Sequence, residues 1–169
     1  MFELVNEYNQ NAVIKVIGVG GGGGNAVMSM LESKIHQADA VIHLAGENRP
    51  SNSKDFEIGN HQLTKLVCDA IERLEKKIPI IFTSSTQAKD GNLYGDSKLA
   101  AENALHALEE KTGCPVTIYR LPGVFGKWCR PNYNSVVATF CHNIARGLSI
   151  EITQPDLSLQ LVYIDDVIE

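Results

Sequence analysis

No apolar run in this chain approaches the length of a membrane span. Positive charge is in deficit as well: 15 Lys and Arg stand against 20 Asp and Glu, a net charge of -5. Nucleic-acid binding draws its affinity from clustered cations, so no nucleic-acid partner is expected. The sequence has no CxxC pair, and no His stands at zinc-site intervals from Cys68, Cys114, Cys129 or Cys141. Four reduced thiols in a cytoplasmic protein, with no metal, is the reading these absences give. The acidic, Gly-rich start lacks the pattern of a signal peptide, and no membrane partner is expected. What remains, 169 residues at 44% hydrophobic and 21% charged, suits one soluble domain with a substantial core.

What is present is an alternation of β-rich and helical runs. AVIKVIG (12–18) opens into a glycine loop, after which Val27, Met30, Leu31 and Ile35 recur at helical spacing. AVIHLAG (40–46) reads as a buried strand, followed by a polar loop, ENRPSNSKDFEI. Asn60 stands as the N-cap of a helix bearing Leu63, Leu66, Val67, Ala70, Ile71 and Leu74. IPIIFTSS (78–85) is a third strand, 94–110 a helix rich in Ala, Leu and Glu, and VTIYR (116–120) a fourth strand. A loop, LPGVFGKWCRPNYN, leads to a helix with Val136, Val137, Phe140, Cys141 and Ile144, then to strand-like LSIEIT and LQLVYI. The alternation predicts a Rossmann-type α/β fold: a doubly wound, mostly parallel sheet in three layers, lacking an edge strand. Residues 1–169 are expected to form a single nucleotide-binding domain. In such a sheet the polar turns gather along the edge formed by the strands' C-terminal ends.

Tyr94 and Lys98 are four residues apart on a helix and so share a face. Ser85, at the end of the preceding strand, is placed to meet them at the sheet edge. A hydroxyl, a phenol and an ammonium converging there form a proton-donating site for a carbonyl or an alcohol. The glycine loop supplies a second function. Gly18, Gly20 and Gly23 fit the dinucleotide fingerprint, and Gly18, Gly21 and Gly24 fit a related spacing. Either register lets the backbone approach a pyrophosphate, with Asn25 at the start of a helix whose N-terminal amides face it. The acidic residue expected about twenty positions further on, to hold a ribose, is absent. SMLESKIHQ stands there instead.

Two resemblances follow. Residues 1–27, MFELVNEYNQNAVIKVIGVGGGGGNAV, resemble the start of the bacterial cell-division tubulins of the FtsZ type, where this loop contacts guanine nucleotide phosphates. From about residue 31 onward the chain resembles the extended short-chain dehydrogenase/reductases, the NAD-dependent epimerase/dehydratase family. Within that family it resembles the capsular UDP-sugar reductases of the CapF type. The residues that carry this are HLAGENRP, Gly59 and Asn60, FTSSTQAKDGNLYGDSK, YRLPGVFGKWCRPNYNSVVATFCHNIAR and LVYIDDV. The second glycine-rich loop and acidic synergy loop of the tubulins do not occur after Val27, which argues against GTP or GDP as ligand. The chain reads as a chimera, its first 30 residues replacing the reductase's own strand, loop and helix and deleting a second strand. The reductase-like part, 31–169, lacks the family's later substrate-binding segments.

The second resemblance implies NADP(H), or NAD(H), as cofactor, and reduction of a 4-keto UDP-sugar by hydride transfer. It implies Tyr94 as general acid, with Lys98 lowering its pKa from about 10 and holding the nicotinamide ribose. Ser85 would orient the substrate carbonyl. Leu44, Ala45 and Gly46, then Leu121 and Pro122, would flank the cofactor, though core packing explains Leu44 equally. Asn48 and Arg49 are substrate candidates. Lys127, Arg130, Asn132 and Asn134 form a polar cluster that suits a sugar diphosphate or a solvated loop. Gly123 stands where the family usually has Asn, and Trp128 suits stacking or packing. His43 reads as a satisfied core histidine, and Asp165 and Asp166 as turn residues. The family often forms homodimers through the helices around Asn60 and Tyr94. The rival readings are a nucleotide-binding module without catalysis, an FtsZ-like GTP-binding fragment and a structural remnant that binds no nucleotide.

Overall fold

The computed structural model describes residues 14–17, 39–74 and 76–169. The glycine loop, with Gly18, Gly20, Gly21, Gly23, Gly24 and Asn25, and the helix expected after it lie outside the described residues.

Four parallel strands form the main sheet in chain order: β1 (Ile14–Ile17), β2 (Ala40–His43), β3 (Ile80–Ser85) and β4 (Val116–Leu121). IKVI (14–17) lies directly beside AVIH (40–43), Ile14 opposite Ala40 and Ile17 opposite His43. β2 sets Val41 against Ile80, and β3 runs alongside β4 from Ile80 and Val116 to Ser85 and Leu121. All strands point the same way, so His43, Ser85 and Leu121 finish at one edge. That edge carries the site.

A continuous helical segment follows β2: α1 (Lys54–Phe56), a π-helical turn (Glu57–Gln62) and α2 (Leu63–Glu72). The start at Asn60 expected from sequence is therefore wrong. Asn60 sits inside the wide turn and is buried. α3 (Leu93–Thr112) begins where Asn92 Oδ1 accepts the Gly95 N–H at 2.8 Å, and ends at Gly113, whose left-handed φ of 70° closes it. Leu63, Val67 and Ile71 of α2 meet Ala101, Leu105 and Leu108 of α3 over Val41, Ile80 and Phe82 of the sheet. Each such large side chain removed from water contributes about 2 kcal/mol.

Beyond the main sheet, β5 (Gly123–Phe125) and β6 (Leu161–Tyr163) pair in parallel as a separate ribbon. Between them lies α4 (Val136–Ile144), capped where Ser135 Oγ accepts the Ala138 N–H at 3.2 Å, and α5 (Ile164–Ile168) follows β6. LSIEIT is not a strand: residues 148–153 are exposed and pair with no described strand, so their alternation stabilises nothing. No residue after Cys114 is buried.

Candidate active site

Ser85, Tyr94 and Lys98 line one cleft of about 590 Å³ at the sheet's C-terminal edge. Leu44 and Gly46 wall it beyond β2, residues 83–87 at and just past the end of β3, and residues 121–124 from the end of β4 onward. Ser85 ends β3 in an extended conformation. Its hydroxyl accepts the Gln87 N–H at 3.2 Å and is a hydrogen-bond partner of the Tyr94 phenol. Tyr94 enters from the first turn of α3, its ring 5.9 Å from that of Phe56.

Lys98, one turn further on, is 5% exposed. Its ammonium donates to the Thr83 carbonyl at 3.2 Å and lies 4.9 Å above the Phe82 ring. Burial pushes its pKa down to about 8, opposed by the charge of Glu102. The expectation that Lys98 lowers the Tyr94 pKa is not met here. Burial raises the phenol and the Ser85 hydrogen bond opposes the rise, while the ammonium is turned to Thr83 and Phe82.

From sequence, helix capping suffices to explain Asn60, ahead of a contact on the cofactor side, yet the residue joins three segments around Lys98. Its Oδ1 accepts the Glu47 N–H at 2.9 Å, and its Nδ2 donates to the Glu47 carbonyl and to Ser97 Oγ, each at 2.9 Å. Ser97 Oγ in turn donates to the Tyr94 carbonyl at 2.7 Å. The π-helical turn widens the helix at this point, a distortion found often at functional sites. Thr64 Oγ1 donates to the Asn60 carbonyl at 2.7 Å and lies 2.9 Å from His43 Nε2. With the Thr64 proton committed, His43 must carry its own proton on Nε2. Burial first, then the Lys98 charge, hold His43 down to about 4, so it is a neutral core residue.

Buried Glu102 and Ser84, with half-buried Arg120, form a second group that the sequence reading missed. Glu102 accepts the Ser84 hydroxyl at 2.5 Å and takes Arg120 Nε and Nη2 in a fork at 2.9 and 2.5 Å. Its pKa is lowered: burial raises it, but the Arg120 and Ser84 hydrogen bonds prevail. The i, i+4 spacing from Lys98 and the strand-end position of Arg120 were the available signals.

The other candidates divide. Leu121, Pro122, Asn48, Arg49 and Asn134 line the cleft, and Arg49 Nε donates to Asn134 Oδ1 at 2.8 Å. Asn132 borders an adjoining hollow of about 1250 Å³ that shares Arg49, Gly123 and Asn134 with the cleft. Ala45 is 1% exposed and belongs to the core rather than the wall. Leu44, 44% exposed, faces the cleft. Lys127 and Arg130 line neither cavity: Lys127 pairs with Asp165 at 2.6 Å, and the Arg130 guanidinium lies 5.8 Å from the Tyr133 ring. The four-residue polar cluster is therefore split. Trp128 is 99% exposed and packs on nothing.

The NAD dependent epimerase/dehydratase family matches residues 25–169. A UDP-2-acetamido-2,6-beta-L-arabino-hexul-4-ose reductase of Pseudomonas aeruginosa is 53% identical over 138 residues, covering 82% of this chain and 37% of that protein. The capsular polysaccharide assembling protein CapF of Staphylococcus aureus superposes with a TM-score of 0.72 at 38% identity, over 90% of this chain and 47% of that one. The cell division protein FtsZ of Pseudomonas putida is 58% identical over 41 residues, 24% of this chain and 10% of that protein. The chain thus spans less than half the length of each of these proteins. Both resemblances read from the sequence are present, and by the longer of them, together with its parallel sheet, the chain belongs to the NAD dependent epimerase/dehydratase family.

Proposed function

We propose that this chain holds the catalytic part of an NAD(P)-dependent reductase of nucleotide sugars, with a 4-keto UDP-sugar as substrate class and NADPH as the preferred cofactor. The observation that carries the reading is the meeting of Ser85, Tyr94 and Lys98 on one cleft. The cleft suits a closely approaching ligand. A Cβ on Gly46 would fall 2.7 Å from Lys98 Nζ, so a glycine here lets the chain pass this close to the ammonium without pushing it from the cleft.

When bound, the reduced nicotinamide supplies the hydride that converts the C4 carbonyl to an alcohol. Ser85 holds the carbonyl oxygen by hydrogen bond and orients it toward Tyr94. The Tyr94 phenol gives its proton to that oxygen as negative charge develops there, and the phenolate recovers a proton from solvent. Lys98 stabilises the phenolate and holds the ribose, exchanging its Thr83 bond for these partners. Asn48, Arg49 and Asn134, on the open side, face the sugar nucleotide.

The test combines calorimetry with NADPH, NADH and GTP and an assay of NADPH oxidation by a 4-keto UDP-sugar. The expected result is NADPH binding in preference to GTP and one NADPH consumed per sugar reduced. Binding without turnover would overturn the reductase and leave a nucleotide-binding module. Selectivity for GTP would return the chain to the FtsZ-like reading.

A further inference from the structure

We propose that Glu102 is a positioning residue of this cleft, holding the ends of β3 and β4 against α3 and supplying the buried negative charge that keeps Lys98 an ammonium. The inference rests on reading Lys98 as the cation of the site. Glu102 follows Lys98 by one helical turn, so the two side chains share the face of α3 that Tyr94 also occupies. It is 3% exposed, and a carboxylate that deep needs partners. Its partners are Ser84 of β3 and Arg120 of β4, which stand opposite one another in the sheet.

The next residue of each strand reaches the cleft. Ser85 follows Ser84, and Leu121 follows Arg120. One carboxylate therefore fixes from behind the two strand ends that present the carbonyl-orienting hydroxyl and the opposite wall. Both donate to the same oxygen of Glu102, so without the carboxylate they lose the shared acceptor that ties the two strand ends to α3.

The electrostatic half follows from what surrounds the ammonium. β2 contributes His43, which burial keeps neutral. β3 offers only the Thr83 carbonyl and the Phe82 ring, and the π-helical turn offers neutral Asn60. On α3, Tyr94 is a neutral phenol. Arg120 of β4 spans both oxygens of Glu102 and partly offsets its charge. Glu102 is thus the carboxylate whose charge acts on Lys98, opposing the effect of burial.

The experiment follows the Lys98 ammonium by nitrogen-15 NMR across pH in the parent protein, Glu102→Gln and Arg120→Met. Glu102→Gln keeps the side-chain size and should move the Lys98 midpoint down by about one pH unit. Arg120→Met leaves the carboxylate unopposed and should move it up, so the two variants carry opposite signs and either alone decides if the other does not fold. The alkaline limb of kcat should follow the same shifts, which a merely structural residue would not produce. An unmoved Lys98 midpoint in the folded variants overturns the assignment. Absence of turnover in the parent with the NMR shifts intact defeats the reductase reading alone and supports the role of Glu102.

Discussion

Gly46 and Lys98 touch across the cleft so closely that a single methyl group does not fit between them: a Cβ built on Gly46 lies 2.7 Å from Lys98 Nζ and 2.8 Å from Asn60 Oδ1. The ammonium is the free end of a long side chain and can retreat. The Asn60 oxygen cannot, because it is fixed by the Glu47 N–H and its amide nitrogen by two acceptors. Gly46→Ala is therefore expected to fold with a loss of about 1–3 kcal/mol. NADPH affinity should fall at least about tenfold, as Lys98 is displaced from its position. Urea melts and calorimetry on the variant check this. Unchanged affinity would mean that the ribose does not use the space beside Lys98.

Tyr94→Phe removes the donor hydroxyl and little else. Its one hydrogen-bond partner at the cleft is Ser85, whose hydroxyl keeps the Gln87 N–H, so the stability cost is about 1 kcal/mol. The rate of sugar reduction should fall by about 10²–10⁴-fold, the usual contribution of a positioned general acid. Steady-state kinetics beside a thermal melt separates the two effects. A variant that still turns over at the parental rate removes Tyr94 from the mechanism.

His43 gives the fold an acid-sensitive point. Its folded pKa, lowered to about 4, lies below the unfolded value near 6.5, so between these values the unfolded chain binds a proton that the folded chain refuses. Stability is complete above pH 6.5 and declines as the pH falls toward 4, by about 3 kcal/mol from this group. Replacing the imidazole with an isosteric amide, His43→Gln, should flatten that part of the profile. Denaturant midpoints at pH 7.0 and 4.5, for parent and variant, provide the comparison. Parallel profiles would show that His43 does not carry the slope.

Lys98 has a pH signature of the same sign in a higher window. Its folded pKa, pushed down to about 8, also lies below the unfolded value, so the cost of the buried ammonium is fully present below pH 8. It is relieved as the pH rises from 8 toward 10.5. Lys98→Met should consequently be more stable than the parent at pH 7, by up to about 3 kcal/mol, with the advantage shrinking at alkaline pH. The variant should also be inactive, an instance of a site kept at the expense of stability. Equal or lower stability at pH 7 would show that the Thr83 bond and the Phe82 ring compensate the burial in full.

The serine, tyrosine and lysine could be read directly because each depends on a short-range rule: a strand end, a first helical turn, and a four-residue spacing. β1 through β4 and α3 were legible for the same reason. Asn60 was misread because capping is a local signal, whereas its real partners, Glu47 and Ser97, lie 13 and 37 residues away. Glu102 was overlooked on a helix face that looked ordinary, since only the sheet register brings Ser84 opposite Arg120. The run 148–153 alternates like a strand but has no neighbour to complete its hydrogen bonds, and alternation alone cannot supply one. Lys127 and Asp165, 38 residues apart, pair with each other, which withdrew Lys127 from the cluster where its charge had suggested a phosphate ligand.

The two sides of the cleft are anchored very differently. Tyr94 and Lys98 stand on a helix packed into the core, while the facing ribbon of β5 and β6, with α4, contains no buried side chain. Such a side opens at little free-energy cost and exchanges its amide hydrogens early. A ligand would enter by displacing it without disturbing Tyr94 or Lys98, and the gain from closing it again would come from the ligand's own contacts. Affinity in this site would thus be set by the compliant rim, and chemistry by the rigid floor.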